Sequence, residues 1–162
     1  PEVIKAVPGV RLVIAGKVWK DDFSIYEQII RENGLENSVI SHTRYIPDGD
    51  VANYYRAADL VVLPYRKIYQ SGVLLMAMSY KVPALTSDIA GMTEVIDDGV
   101  NGYVFESENV ASLSSRLVNL FSNPEELARI GKAGYETVAT EYDWDRIGRM
   151  TSEAYDAVCR GQ

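Results

Sequence analysis

The feature that most constrains this chain is a repeated alternation: short apolar runs, each followed by a segment with helical spacing. Val10-Arg11-Leu12-Val13-Ile14-Ala15 is β-branched and stops at Gly16. Ser24 to Asn33 then places Ile25, Ile29 and Ile30 on one helical face and ends at Gly34, a favoured residue just past a helix C-terminus. Val39-Ile40-Ser41 reads as the next strand, and Asp50 as the cap of a short helix with Val51, Tyr54, Tyr55 and Ala58 inward. Leu60-Val61-Val62-Leu63-Pro64 is a continuous apolar run, the pattern of a strand buried on both faces. Ser71 to Tyr80 is helical by composition, and Pro83 to Thr86 and Gly102 to Phe105 are short strands. Parallel neighbours need a crossover of a dozen or more residues, commonly a helix, so this order predicts a parallel sheet. The expected class is α/β: a Rossmann-like parallel sheet of about five strands with helices on both faces. The strands centre near Val13, Ile40, Val62, Ala84 and Val104. After Phe105 the pattern is helix only. Val110 to Phe121 is one helix, and Pro124 opens another after the capping candidate Asn123. Trp144, Ile147, Thr151, Tyr155 and Val158 mark the expected inward stripe of a last one.

Composition narrows the function. The 162 residues suit one domain, so residues 1–162 are expected to form a single unit. Apolar residues at 47% and charged residues at 24% exclude a disordered or collagen-like chain. No apolar run approaches the ~20 residues of a membrane span. The single cysteine, Cys159, cannot close an internal disulfide, and with one histidine, His42, a structural zinc site lacks its usual ligands. The formal charge of −7 repels phosphate backbones and anionic lipid on average, which argues against general nucleic-acid or membrane binding. The chain starts at Pro1, with no charged-then-apolar leader, and is expected to be a piece of something longer.

Ligands of open parallel sheets bind outside the carboxyl ends of the strands. That rule selects Gly16-Lys17-Val18, Thr43 to Asp48, Pro64 to Gly72, Thr86 to Gly91 and Glu106 to Asn109. Familiar signatures are absent from them. There is no G-x-G-x-x-G for a dinucleotide, no P-loop, and no G-x-S-x-G elbow. His42 reads as a packed or surface histidine. The informative junction is Pro64-Tyr65-Arg66-Lys67-Ile68-Tyr69-Gln70-Ser71-Gly72-Val73-Leu74-Leu75-Met76-Ala77-Met78, where a buried strand gives way to a polar loop and then a helix. Glycine at the helix start admits a ligand close to the backbone. The free N–H groups of the first turn favour an anion such as a diphosphate. From the residues alone, Ser71-Gly72 is equally a plain helix cap, and Arg66 and Lys67 either add positive charge or are simply solvated.

With the stretch from Pro83 to Tyr103 added, the chain resembles the donor-binding C-terminal domain of retaining, family 4-type glycosyltransferases of the glycosyltransferase-B fold. Their usual pattern is a strand ending in Pro, then E-G-F-G-x-x-x-x-E-A-M-A-x-G-x-P-V-V-A-[ST]-x-x-G-G-x-x-E-x-[VI]-x-[DH]-G-x-x-G. Ala77-Met78-Ser79, Pro83, Ser87-Asp88, Gly91, Glu94-Val95-Ile96, Gly99 and Gly102 fall in register. Tyr45-Ile46-Pro47-Asp48, Tyr54 to Asp59 and Tyr142-Asp143-Trp144 extend the likeness over Val10 to Val158. The departures are specific. The family's two glutamates align with Ile68 and Met76, no Asp or Glu occurs from Leu60 to Ser87, and Lys81 replaces a usual glycine. In the family the first carboxylate contacts the donor sugar and the second binds ribose hydroxyls.

The resemblance implies an enzyme: a hexosyl-type transferase moving a sugar from a UDP-, GDP- or similar nucleoside-diphosphate donor to an unknown acceptor, in polysaccharide biosynthesis by analogy. It implies retained configuration, no essential metal, no cofactor, and a cytoplasmic or membrane-peripheral location. It also implies that an acceptor-binding N-terminal domain and an Arg/Lys diphosphate loop would precede Pro1, so that the fragment alone is inactive. The implied donor-site residues are Gly16, Lys17, Arg44, Tyr45, Ile46, Gln70, Ser71, Gly72, Val73, Leu74, Met76 and Glu94. Several keep two readings. Gln70 either bonds the sugar or is a solvated loop residue, Leu74 lies under the ribose or in the core, Tyr45 holds the base edge or packs, and Glu94 is chiefly a loop cap. No catalytic residue is assigned. The other reading is a degenerate module of the same fold that binds a ligand or partner without transferring sugar.

Overall fold

The structure is a computed structural model that describes residues 1–20 and 22–161. Its elements run α1 (Glu2–Ala6), β1 (Leu12–Ala15), α2 (Ser24–Glu32), β2 (Val39–His42), α3 (Asp48–Ala57), β3 (Val61–Leu63), α4 (Gly72–Ser79), β4 (Ala84–Ser87), α5 (Ala90–Thr93), β5 (Tyr103–Phe105), α6 (Val110–Phe121), α7 (Pro124–Glu141) and α8 (Trp144–Cys159). The five expected strands are present and each strand pair is parallel. The pairing differs from the single sheet expected: β1 pairs with β2, and β3, β4 and β5 form a separate three-stranded sheet in that order. An apolar run identifies a strand but not its neighbour. The helix expected to begin at Asp50 begins at Asp48, so Asp48 and Asp50 both sit in its first turn, where carboxylates offset the helix dipole.

The chain forms two compact units, Pro1–Ala57 with Asn109–Pro124, and Ala58–Glu108 with Glu125–Gln162. In the first, β1 and β2 run in register from Leu12 opposite Val39 to Ala15 opposite His42. Helix α2 ends where Gly34, at φ +63°, lets its N–H reach Arg31 O and the Leu35 N–H reach Ile30 O. That double closure satisfies the last carbonyls of the helix. His42 shares a 2.7 Å hydrogen bond between Nδ1 and the Tyr54 hydroxyl, so it is a partnered packing residue. On the apolar face of α2, Ile25 and Ile29 are exposed, as are Leu12 and Val13 of β1. Periodicity shows which residues share a face, not what covers it.

In the second unit β4 is the central strand and all four of its residues are buried. Leu63, Leu74, Met78, Ala84, Met92 and Ile96 make one core around it. Helix α4 is apolar on nearly every side, as suits an interior helix, and buries Leu74, Ala77 and Met78. Each large side chain so buried contributes about 1.5–3 kcal/mol. Helix α4 ends as α2 does, with Lys81 N–H on Met78 O and Val82 N–H on Ala77 O. Here, though, the residue at φ +61° is Lys81 rather than glycine. Asn101 joins the 95–101 turn to α7: its side chain accepts the Asp97 N–H and donates to Val95 O and to Thr137 Oγ1. The last helix departs from expectation. Asp143 caps it, yet no residue of α8 is buried, and Trp144, Tyr155 and Val158 are exposed instead of inward.

Candidate functional site

The second unit gathers three loops at the carboxyl end of its sheet. Tyr65 O accepts a hydrogen bond from the Ser87 hydroxyl, joining the loop after β3 to the end of β4. The Asp88 N–H donates to Phe105 O, and the Asp88 carboxylate accepts the Ser107 N–H at 2.7 Å. Arg66 Nε lies 2.9 Å from Glu108 Oε1, tying the first loop to the third. Gly91 completes the arrangement. A Cβ built there would meet Tyr69 O at 2.7 Å and Ile68 O closer still, so only glycine lets the 66–70 loop lie against the start of α5. Contacts between residues so far apart in the chain were not readable from local pattern; the sequence signal was Ser87-Asp88 and Gly91 falling in register with the family pattern.

From these tied loops α4 rises. Ser71 is buried, extended in backbone, and accepts the Leu74 N–H at its Oγ (3.2 Å). The cap reading of Ser71 is therefore correct, and it leaves the first-turn N–H groups of Gly72 and Val73 as outward donors. Gly72 is exposed, with nothing within 4 Å of where a Cβ would stand. Neither packing nor a positive φ requires glycine here; the Cα faces open space. The first turn of α4 contains no acidic residue, whereas α1, α2, α3, α7 and α8 each carry at least one in theirs. No carboxylate of its own first turn offsets the positive end of the α4 dipole.

Leu74 is 1% exposed in the core, which decides between its two positions. Val73 and Met76 stand three residues apart on the outer side of α4, 43% and 42% exposed. Gln70 and Glu94 are exposed, and Glu94 follows the last residue of α5. Gln70 to Met76 and Glu94 thus belong to the second unit, whereas Gly16, Lys17, Arg44, Tyr45 and Ile46 belong to the first. There the Gly16 and Arg44 N–H groups both bond His42 O, at 3.1 and 2.9 Å, which brings the ends of β1 and β2 together. Gly16, Lys17, Arg44 and Tyr45 are exposed and Ile46 is half-buried. The Tyr45 hydroxyl reaches Asp48 Oδ1 at 3.4 Å. Among the described residues no helix is long and apolar enough to cross a membrane.

Comparison with known proteins gives a consistent result. The chain is 24% identical over 166 aligned residues to spore coat protein SA of Bacillus subtilis, covering 96% of this chain and 43% of that protein. It is 26% identical to a glycogen synthase of Mycobacterium tuberculosis, covering all of this chain and 38% of that protein. It thus spans about two fifths of the length of these relatives. Among solved structures it resembles the C-terminal domain of a glycosyl transferase group 1 family protein from Francisella tularensis, with TM-score 0.79 and 26% identity over 88% of this chain and 74% of that one. It also shares the fold of an Anabaena protein solved in complex with UDP, with TM-score 0.86 and 21% identity over 96% of this chain and 44% of that one. Residues 2–137 match the profile of the family described as glycosyl transferases group 1, and the chain belongs to that family.

Proposed function

We propose that this chain is the donor-binding half of a retaining glycosyltransferase, and that it holds the diphosphate of a nucleotide sugar at the start of α4. The observation that carries the reading is the α4 N-terminus itself. Its Gly72 and Val73 N–H groups are unclaimed by the Ser71 cap, its first turn carries no acidic side chain to offset the dipole, and the surface above Gly72 is open. Such a terminus stabilises phosphate charge, and in glycosyl transfer negative charge grows on the leaving diphosphate. Amides fixed in place before the reaction stabilise that charge without reorganising. Family membership supports the same reading, and the Anabaena neighbour was solved with UDP.

In this account the phosphates lie on the amides of Ser71, Gly72 and Val73. The ribose lies over the exposed Val73–Met76 face, where a methionine offers apolar contact but no acceptor for hydroxyl hydrogen bonds of the kind a carboxylate makes. The site works without a metal or cofactor, and the acceptor is bound by another part of a longer protein acting in the cytoplasm or at the membrane face. Titrating the full-length protein with a panel of nucleotide sugars, followed by a transfer assay with retained anomeric configuration as the readout, tests the proposal. Binding with transfer supports it. Binding without transfer would favour the non-catalytic module instead, a reading that draws its motive from Ile68 and Met76 standing where the family pattern has glutamates.

A further inference from the structure

Beside the α4 N-terminus the second unit has a cavity of about 320 Å³, and its chemistry says something about what fills it. Arg66, Lys67, Ile68 and Tyr69 line it together with Ile89 to Gly91 and Glu94. Tyr69 is two residues before Ser71, a separation of at most about 7 Å along the chain. A group attached to a phosphate on the Gly72 and Val73 amides therefore falls within reach of this cavity. The two cations in its wall are not equivalent. Arg66 is committed to Glu108 at 2.9 Å. Lys67 makes no ion pair among the described residues; its Nζ stands over the Tyr69 ring, 6.0 Å from the centroid. Glu94 likewise makes no ion pair among the described residues, so the cavity lining has one uncommitted cation and one uncommitted carboxylate. No acidic residue from Leu60 to Ser87 is available to neutralise Lys67 locally.

We propose that this cavity takes the sugar of the donor and that the sugar bears a carboxylate, as a uronic acid does. The inference rests on the donor reading above and adds the class of sugar. Lys67 binds the sugar carboxylate through a charge-assisted hydrogen bond, which is stronger than one to a neutral hydroxyl. Glu94, an acceptor only, takes hydroxyl hydrogen bonds from the other end of the ring. A neutral hexose meets Glu94 equally well but leaves Lys67 in water, so discrimination comes from the cation. Because Lys67 is exposed, the preference weakens as salt rises.

The test is calorimetric titration of the full-length protein with matched donors: UDP-glucuronate against UDP-glucose, and GDP-mannuronate against GDP-mannose, with UDP and GDP alone as references. The expected result is a preference of about tenfold for the acidic member of whichever pair binds, or about 1.4 kcal/mol. The preference shrinks in high salt and disappears in Lys67→Met, while binding of the bare nucleotide is unchanged. Lys67 sits on an exposed loop, so the variant is not expected to disturb the fold, and the comparison within the parent protein needs no variant. Bare nucleotide binding with equal affinity for acidic and neutral sugars would overturn this inference and leave the donor reading standing. A preference that survives in Lys67→Met would overturn the assignment of the carboxylate to Lys67. Binding of none of the six compounds would overturn both readings.

Discussion

At the scale of single residues, the structure separates side chains that build the site from those that merely border it. Leu74 and Ser71 are adjacent to the same open surface, yet one is core and the other a cap. Thr86 shows the same contrast inside β4: its Oγ1 is fully buried and has no hydrogen-bond partner among the described residues. An unpaired buried hydroxyl costs about 1–3 kcal/mol. Thr86→Val, which keeps the shape and removes the orphan, is expected to raise stability by roughly 1 kcal/mol; a urea midpoint at or below that of the parent would show that the hydroxyl has a partner. Residues of local character were legible in the sequence. Ser71, Asn109 and Gly34 act through their own neighbours, and their types announce caps and turns. Gly91 and Asp88 act on backbone many positions away, so their types alone could not say what they touch.

At the scale of elements, helix ends explain much of what the alternating pattern left open. Helices α2 and α4 close in the same way, but Lys81 holds a left-handed conformation that Gly34 adopts freely. A side chain in that region costs about 1–2 kcal/mol. Lys81 recovers part of this through its Nζ, which lies 4.7 Å from the Tyr135 ring centroid, a contact worth about 0.5–1 kcal/mol at an exposed site. Lys81→Gly should therefore stabilise the fold modestly, by about 0.5 kcal/mol, and by more in a Tyr135→Leu background where there is no cation–π contact to lose; equal shifts in both backgrounds would remove the ring from the account. The first turn of α7 carries a second dependence. Arg129 donates to both carboxylate oxygens of Glu126, at 2.7 and 2.6 Å, and to Gly99 O at 2.9 Å. This hydrogen bonding by Arg129 holds the Glu126 carboxyl below its ordinary value. A depressed folded value means that the stability gained is present above the ordinary pKa and is lost as pH falls through the depressed one. Glu126→Gln should flatten the acid side of the stability–pH curve and leave its shape above neutrality unchanged, as thermal melts across that range would show.

At the scale of the molecule, the class of fold was legible because parallel strands and crossover helices leave two different periods in the sequence. Strand pairing and exposure were not. Trp144, Tyr155 and Val158 of α8 were expected inward and lie exposed, since an amphipathic face records only that something is to be covered. In the donor-half account, α4 supplies the phosphate site but the acceptor must be held elsewhere. These 162 residues on their own should then show no sugar transfer, because proximity of donor to acceptor is lost. Turnover by this segment alone, followed by release of nucleotide and by product sugar, would place the active site wholly within it.

The central claim is that the diphosphate rests on the first turn of α4, and Gly72→Val tests it most directly. The structure leaves open space at the Gly72 Cβ position and no positive φ, so the substitution is expected to cost the free protein little stability. The branched side chain instead occupies the surface that a phosphate must approach. Each charge-assisted hydrogen bond to phosphate is worth about 1.5–3 kcal/mol, so losing one or two weakens binding about tenfold or more. The measurement is calorimetric titration of UDP and GDP into the full-length parent and the folded variant. The account predicts an unchanged melting temperature with a Kd raised at least about tenfold for the nucleotide that binds. A Gly72→Val protein that binds that nucleotide as tightly as the parent would contradict it.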